Sequence, residues 1–566
     1  MLEAGEPVSR QMKVEYTPFA DQKPGTSGLR KQTSVFMQPH YTESFVQAIV
    51  SAIAPGARLV IGGDGRFYSP ETIQKTIQIC AANGITELLV ARNGILSTPT
   101  ASFVIRKEKL TGGILLTASH NPGGIDADFG IKYNMANGGP ATEVVTDRIY
   151  EISRKQDSYS ILETSKIDIS VIQSVKVADM LVTVFDGVEP YVTYMRQLFD
   201  FSLLKSFLAS RSPNFLLFDA MHAVTGPYAT QIFVDALGLP STCVMNAIPL
   251  ADFGGGHPDP NLTYAKELVG RVRAEGVGFG AASDGDGDRN MILSNDAFVN
   301  PSDSIAVICA HASAIKSLGV LKGAARSMPT SGALDRVAAK LGIGMFEVPT
   351  GWKFFGNLMD AGLISICGEE SFGTGSDHVR EKDGIWAVLC WLSILATQAL
   401  QDPATSVKKV LEAHYKIFGR NYFSRYDYEN LSLESANQVY AKFQQKVTDT
   451  AFIGEKFGGH EVSKAGNFRY VDPVDKSVSS NQGLYVIFGP NRIVLRLSGT
   501  GSSGATIRFY FERFEESLVD MEAADAMREV IKLGLDESGL IGITGRDAPT
   551  VFNLNSGHYL TRCSHT

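Results

Sequence analysis

At 566 residues the chain exceeds what one hydrophobic core supports, and with 44% hydrophobic and 20% charged residues it has the composition of a folded protein with several cores. A formal charge of -8, with no basic block interleaved by aromatics, excludes a nucleic-acid surface, so an anionic ligand must be held by cations gathered locally. Six cysteines without a C-x-x-C pair, most in apolar context, exclude a zinc framework or disulfide scaffold and predict reduced, packed thiols in a cytoplasmic protein.

The first residues, MLEAGEPVSRQMKVEY, carry acids and no apolar core, so no signal peptide is expected. GTSGLR then offers Thr26, Ser27 and Arg30 in a glycine turn. The strand Leu59 to Ile61 ends at GGDGR, a helix is predicted around Glu71 to Ala82, and a strand follows at Leu88 to Val90. The apolar run Ile114 to Leu116 leads into TASHNP, Thr117 to Pro122, which puts the Ser119 hydroxyl beside the His120 imidazole on a sharp turn. The Asn-Pro step disfavours helix, and Gly123-Gly124 removes side chains from where a ligand approaches. An isolated serine in such a place is more often a turn or cap residue, so its weight comes from the complementary polar loops further along the chain. The polar stretch Ser153 to Ser174 is expected to cover the surface before a boundary near Glu189.

A helix from Tyr191 to Leu204 and strands at Phe215 to Phe218 and Phe279 to Ala282 lead to SDGDGDR. In extended backbone, alternate residues point the same way, which predicts convergence of Asp284, Asp286 and Asp288 into a set of hard oxygen ligands suited to Mg2+. Their mutual repulsion argues for a cation, and the EF-hand reading fails because Arg289 and Asn295 stand where that loop needs Gly and Glu. Further on, GEESFG offers Glu369 and Ser371 to sugar hydroxyls, and HVREKDG supplies His378, Arg380 and Lys382 as a cationic cluster for a phosphate or a proton. Ile385 to Leu400 is apolar but broken by Ser393, Thr397 and Gln398 and is shorter than the ~20 residues of a membrane span, so it is predicted to be a buried helix.

RLSGTGSSGATIR matches G-x-G-x-x-G, yet a strand-like segment follows where a dinucleotide site needs a helix, and no Walker lysine is present. It reads as a phosphate cradle of Ser498, Thr500 and backbone amides closed by Arg496 and Arg508. TASHNPGG, SDGDGDR and GEESFGTG each end an apolar strand, and ligands of open α/β sheets collect beyond strand carboxyl ends. One cleft is therefore expected to hold a nucleophilic hydroxyl, a metal site, a sugar reader and a phosphate clamp, the parts of a phosphoryl transfer enzyme acting on a phosphosugar.

With PGTSGLRK, TASHNPGG, DFGIKYN, DAMHAVTGPY, GGGHPDPNLTYA, SDGDGDRN, PTGWKFFGNLMDAG, GEESFG, REKDGIWA and RLSGTGSSGAT in this order, the chain resembles the α-D-phosphohexomutase superfamily, in its eukaryotic phosphoglucomutase branch with the parafusin-related members. The resemblance implies an α/β, four-domain architecture: three related α/β domains at 1–189, 190–302 and 303–418 and a C-terminal α+β domain at 419–566, around a central cleft, in a monomer or weak homodimer. It implies that Ser119 is the phosphoserine, and that Asp284, Asp286 and Asp288 bind Mg2+ together with an oxygen on Ser119. Arg30 and Arg289 then lie near the transferring phosphoryl group, Thr26 and Ser27 belong to the substrate loop, and Thr350, Gly351, Glu369, Ser371 and His378 meet the substrate. Lys382, His120 and Lys132 become candidates for proton transfer or charge stabilisation, and Arg496, Ser498, Thr500 and Arg508 hold the distal phosphate. The implied reaction interconverts glucose 1-phosphate and glucose 6-phosphate through glucose 1,6-bisphosphate.

Phe372-Gly373 stands where mannose- and N-acetylglucosamine-specific relatives have Gly-His, which favours glucose. Ala223 and the loop Ile125 to Ala127 depart from the common pattern outside these site residues. The alternative is a non-catalytic scaffold of the parafusin or aciculin kind, acting in exocytosis or cytoskeletal attachment; the intact serine loop, acidic triad and clamp weigh against it.

Overall fold

The structure is a computed structural model that describes residues 10–25, 27–498 and 504–554. Thr26, Thr500 and the last of the six cysteines, Cys563, lie outside the described residues.

The first sheet runs in the order Leu29–Gln32, Asp128–Met135, Gly112–Leu116, Arg58–Gly63, Glu87–Ile95, Met180–Phe185, Gln173–Val177, with parallel pairing from Gly112–Leu116 through Met180–Phe185. Gly112–Leu116 is buried along its whole length, as a parallel strand covered on both faces requires. Helices Tyr41–Ala52, Ser69–Ala82 and Glu143–Lys155 cover one face, and Thr98–Lys107 packs Val104 and Ile105 on the other.

The stretch from Ser153 does more than the expected surface cover. It contains Ser158–Glu163, paired antiparallel with Arg10–Glu15, and is followed by a hairpin whose second strand, Met180–Phe185, extends the sheet. Only Met180, Val182 and Val184 of that strand are buried, so its alternation reads as surface until the partner strand is known. The helix expected at Tyr191 to Leu204 is two, Glu189–Leu198 and Phe201–Ala209, because the Asp200 carboxylate caps the second by accepting from the Ser202 and Leu203 amides, both at 3.0 Å.

The next two sheets repeat the middle of the first. Their orders are Val244–Met245, Leu216–Asp219, Phe279–Ser283, Asn290–Leu293, Phe298–Val299 and Gly344–Val348, Gly323–Ser327, Ile366–Gly368, Thr374–Ser376. In each of the three sheets one strand (Gly112–Leu116, Phe279–Ser283 or Ile366–Gly368) pairs parallel on one side and antiparallel on the other. The loop leaving the carboxyl end of that strand is the serine, acidic or glutamate loop. The repeat is topological, with no matching sequence period.

Helix Gly384–Ala399 is the buried helix expected, with Trp386 and Trp391 fully enclosed in a core that runs continuously from Val188 through Tyr415. Trp391 Nε1 donates to Ser304 Oγ at 2.9 Å, which satisfies the indole inside that core. Among the described residues no helix is long and apolar enough to cross a membrane. The last sheet is antiparallel around Asn491–Ser498, Ala505–Glu515 and Arg420–Leu431. Helices Leu433–Val447 and Ala523–Ser538 cover one of its faces, and Val494 and Tyr510 on the other pack near Met328 of the third sheet unit.

Candidate active site

The three repeated loops meet. Ser119 Oγ donates to Asp284 Oδ2 at 3.2 Å and lies 3.3 Å from His120 Nδ1. Ser119 itself is held at φ 54°, a left-handed conformation, while its amide donates to Thr117 Oγ1 at 2.7 Å. A residue other than Gly or Asn persists in that conformation only when its surroundings over-determine it. Here the surroundings include Arg66, which is fully buried with Asp64 as an ion pair at 2.9 Å and whose Nη2 donates to the Ser119 carbonyl at 3.1 Å and Nη1 to the Asp128 carbonyl at 2.7 Å. Replacing Arg66 with Met removes these bonds and leaves Asp64 buried without its cation, so it is expected to destabilise the fold by about 3–5 kcal/mol. Urea denaturation checks this, and an unchanged midpoint refutes the proposed buttress.

The acidic run does not converge through extended backbone, as the alternate spacing suggested. Residues 285–287 form a turn with Gly287 at φ 79°, and the Asp284 Oδ1 accepts from the amides of Asp288 and Arg289, both at 2.9 Å. A turn brings the three carboxylates closer than a strand pleat, in which alternate side chains stay parallel. The approach of this turn to the serine loop needs glycine, since a Cβ on Gly285 would fall 2.3 Å from the Ser119 carbonyl oxygen.

The three carboxylates are at most 4% exposed, and one oxygen from each lies within 4.8 Å of the others. Asp286 Oδ2 accepts from Thr98 Oγ1 at 2.7 Å, whereas Asp286 Oδ1 and Asp288 Oδ1 are buried with no hydrogen-bond partner. Burial and mutual repulsion push Asp284 well up, and the same causes raise Asp288; for Asp286, burial is outweighed by Lys132, Thr98 and Lys382, which hold its carboxyl below the ordinary range. Orphaned carboxylate oxygens at this spacing fit a hard divalent cation.

The glutamate loop reaches the same place. Arg289 and Gly373 form a backbone bridge, the Asn290 amide donates to the Phe372 carbonyl at 2.9 Å, and Lys382 Nζ lies 3.1 Å from Asp288 Oδ2. Burial pulls the Lys382 ammonium down, but Asp288, Glu369 and Asp284 more than reverse this, so it stays charged. Arg289 Nη1 donates to Asp259 Oδ1 at 3.0 Å, and Lys132 Nζ is bonded to Glu381, which also accepts from Asn134 Nδ2 at 2.8 Å. Glu369 is buried, its carboxyl raised by that burial, and it accepts from the Gly351 amide at 3.3 Å beside the unpartnered Thr350 hydroxyl. Arg30 Nε likewise has no partner, and burial lowers the pKa of its guanidinium. Burial, Arg289 and Arg30 together hold His120 well below its ordinary value, as a neutral imidazole. Ser27 sits in the turn closed by the Gly25–Gly28 bridge, and Ser371 is half-buried on the glutamate loop.

The cationic cluster read from HVREKDG does not form, because consecutive loop residues face different ways. Arg380 turns to Asp360 at 2.6 Å, and His378 is bonded through Nδ1 to Ser376 Oγ at 2.7 Å and through Nε2 to Asp383 at 3.0 Å while stacked on Trp386. No ring nitrogen of His378 remains for a substrate, which corrects its expected contact. Only Lys382 faces the acidic turn.

In the last unit Arg496 and Arg508 are cross-strand neighbours, with Ser498 two residues along the same strand pair opposite Thr506. Arg508 Nε donates to Asp427 Oδ2 at 3.1 Å, and Arg425 grips the same carboxylate with both ends of its guanidinium, at 2.8 and 2.5 Å. Asp427 thus fixes the orientation of both guanidiniums. Sequence reasoning missed Arg425, Asp427, Thr98, Asp259 and Glu381; the only available signal for Asp259 and Glu381 was their position inside GGGHPDPN and REKDG.

Profiles of a phosphoglucomutase/phosphomannomutase family match at alpha/beta/alpha domain I over residues 21–160, domain II over 189–297 and domain III over 301–418, and one described as phosphoglucomutase-1, C-terminal domain, matches residues 420–550. The chain is 52% identical over 550 residues to a phosphoglucomutase of Aspergillus fumigatus, covering 95% of this chain and 99% of that one. It is 51% identical over 560 residues to phosphoglucomutase-1 of Homo sapiens, again covering 95% and 99%. The crystal structure of the exocytosis-sensitive phosphoprotein pp63/parafusin (phosphoglucomutase) from Paramecium, in an open form, is similar with a TM-score of 0.87 and 48% identity, covering 96% of this chain and 99% of that one.

Proposed function

The chain belongs to the phosphoglucomutase/phosphomannomutase family, and from that premise we propose that it interconverts α-D-glucose 1-phosphate and glucose 6-phosphate by carrying a phosphoryl group on Ser119. The observation that carries this reading is the Ser119 hydroxyl, 3.2 Å from Asp284 at the edge of a buried carboxylate triad and within the convergence of the serine, acidic and glutamate loops. Asp284, Asp286 and Asp288, with an oxygen on Ser119, would hold Mg2+. Bound there, Mg2+ supplies neutralising charge for the phosphoryl oxygens.

The P–O bond to Ser119 breaks as one forms to the free hydroxyl of glucose 1-phosphate, whose proton passes to a base while Ser119 Oγ regains a proton, giving glucose 1,6-bisphosphate; after the sugar turns over in the cleft, its other phosphoryl returns to Ser119 as the proton movements reverse. Arg30 and Arg289 offset charge on the transferring group, Lys382 offers a fixed ammonium beside it, and the neutral His120 imidazole is the group near Ser119 able to accept a proton. Lys132 orders the loop through Glu381. Five described cysteines, all free and buried, support a cytoplasmic setting. The scaffold alternative has no observation of its own in this site. A coupled assay of glucose 1-phosphate with Mg2+ and catalytic glucose 1,6-bisphosphate tests the activity, and no turnover under those conditions refutes it.

Sugar reading and phosphate holding should fail separately. Glu369→Gln weakens a buried acceptor for sugar hydroxyls and is expected to narrow the preference for glucose 1-phosphate over mannose 1-phosphate by roughly tenfold in kcat/KM. Arg508→Ala is expected to lower kcat/KM for both by about 10–100-fold, since it removes charge-assisted bonds from a phosphate common to both sugars. An unchanged preference in the first variant, or a changed one confined to the second, reverses these roles.

A further inference from the structure

An open cleft of about 440 Å³ lies where the C-terminal end of helix Thr98–Lys107 and the turn after Asp128–Met135 meet Asp360 and Arg380. We propose that this cleft binds a small, multiply charged phosphate compound at a second site, bridging the segments that match family domains I and III.

Its polar lining is Arg106, Lys109, Asn137, Asp360 and Arg380, none of which belongs to the catalytic set. Asp360, the lining's one carboxylate, is already engaged by Arg380 Nε at 2.6 Å and by Asn137 Nδ2 at 2.8 Å. Asp377, just outside, is paired with Lys322 at 3.2 Å. Arg106 is half-buried and forms no ion pair among the described residues; its Nη1 has a backbone partner, the Asn137 carbonyl, at 3.3 Å. Burial, and then the neighbouring Arg380 guanidinium, lower the pKa of Arg106. Lys109 is exposed, also without an ion pair among the described residues, and adopts φ 52°, a conformation that non-glycine residues pay to hold.

Arg380 Nε and Nη1 are already held by Asp360 and by the Asp377 and Val379 carbonyls, so the positive charge left unanswered in this open cleft is that of the Arg106 guanidinium and of the Lys109 ammonium at its rim. Guanidinium forks suit phosphate oxygens, and the volume lies in the range of small-molecule sites. The Arg380 amide donates to Ser102 Oγ of the helix at 2.9 Å, Glu381 pairs with Lys132, and Lys382 reaches Asp288. Through the Ser102–Arg380 bond, an anion on Arg106 of the same helix would therefore stiffen the loop that carries Lys382.

Inorganic pyrophosphate is the probe. Calorimetric titration of the full chain is expected to show two classes of site, one weakened by Arg508→Ala and the other weakened at least tenfold by the double variant R106Q/K109Q. That double variant should keep its kcat/KM for glucose 1-phosphate in the absence of pyrophosphate. Pyrophosphate should also slow amide exchange over residues 102–110 in wild type and Arg508→Ala but not in R106Q/K109Q. Lys109→Gln alone, at an exposed position, should show an intermediate loss and guards against misfolding of the double variant. Unchanged pyrophosphate binding in both K109Q and R106Q/K109Q overturns the proposal. So does a signal seen only with phosphoinositide vesicles and never with pyrophosphate, which would make the cleft a lipid contact.

Discussion

Ser119→Ala is expected to abolish mutase turnover, by ~10⁴-fold or more, as removal of a covalent nucleophile does. The argument is geometric: Ser119 Oγ is the hydroxyl bonded to the triad carboxylate Asp284 at 3.2 Å, and it sits on the strand end equivalent to those carrying the acidic and glutamate loops. The fold should survive, because the bonds that hold the loop run to the backbone of Ser119, from Arg66 and to Thr117, and alanine keeps both. The lost hydroxyl contacts should cost only about 1 kcal/mol. The coupled assay and a thermal melt check both halves. A stable variant with appreciable turnover, free of contaminating enzyme, would mean that another group carries the phosphoryl.

Asp286→Asn should lower affinity for Mg2+ by about 100-fold or more and slow phosphoryl transfer in step, since a charged oxygen is replaced by a neutral amide in a hard-ligand site. The melting-temperature gain on adding Mg2+ separates this from a packing defect. Without metal, Lys132, Thr98 and Lys382 hold the Asp286 carboxylate in its charged form, so removing that charge should leave the metal-free melting temperature unchanged or modestly lower. With saturating Mg2+, wild type should gain more than the variant. Chelation should silence the wild type and added Mg2+ should restore it. Full activity after complete removal of divalent metal, or a variant that gains as much melting temperature from Mg2+ as wild type does, argues against the metal assignment.

The chemistry of the site was legible where it is local. TASHNP, SDGDGDR and GEESFG carry their functional groups within a few residues of a strand end, and the apolar run at Ile385 to Leu400 exceeds any amphipathic face, so loop identity and the buried helix follow from composition and pattern alone. The sequence by itself likewise determined the α/β alternation and the run of three acids separated by glycines, whereas the close approach that Gly285 permits is a tertiary fact. Which side chains face the cleft was decided only by tertiary structure. Thr98 reaches Asp286 across 188 residues of chain, Glu381 reaches Lys132 across 249, and Arg508 finds Asp427 across 81; no local spacing encodes such pairs. The same reason explains the two misread patterns. The acids converge through a turn because Asp284 caps the Asp288 and Arg289 amides, and His378 and Arg380 leave the cleft because Asp383, Ser376 and Asp360 lie elsewhere around their loop. Sequence spacing sets which groups are available, whereas the direction each points is set by partners that only the folded chain brings within reach.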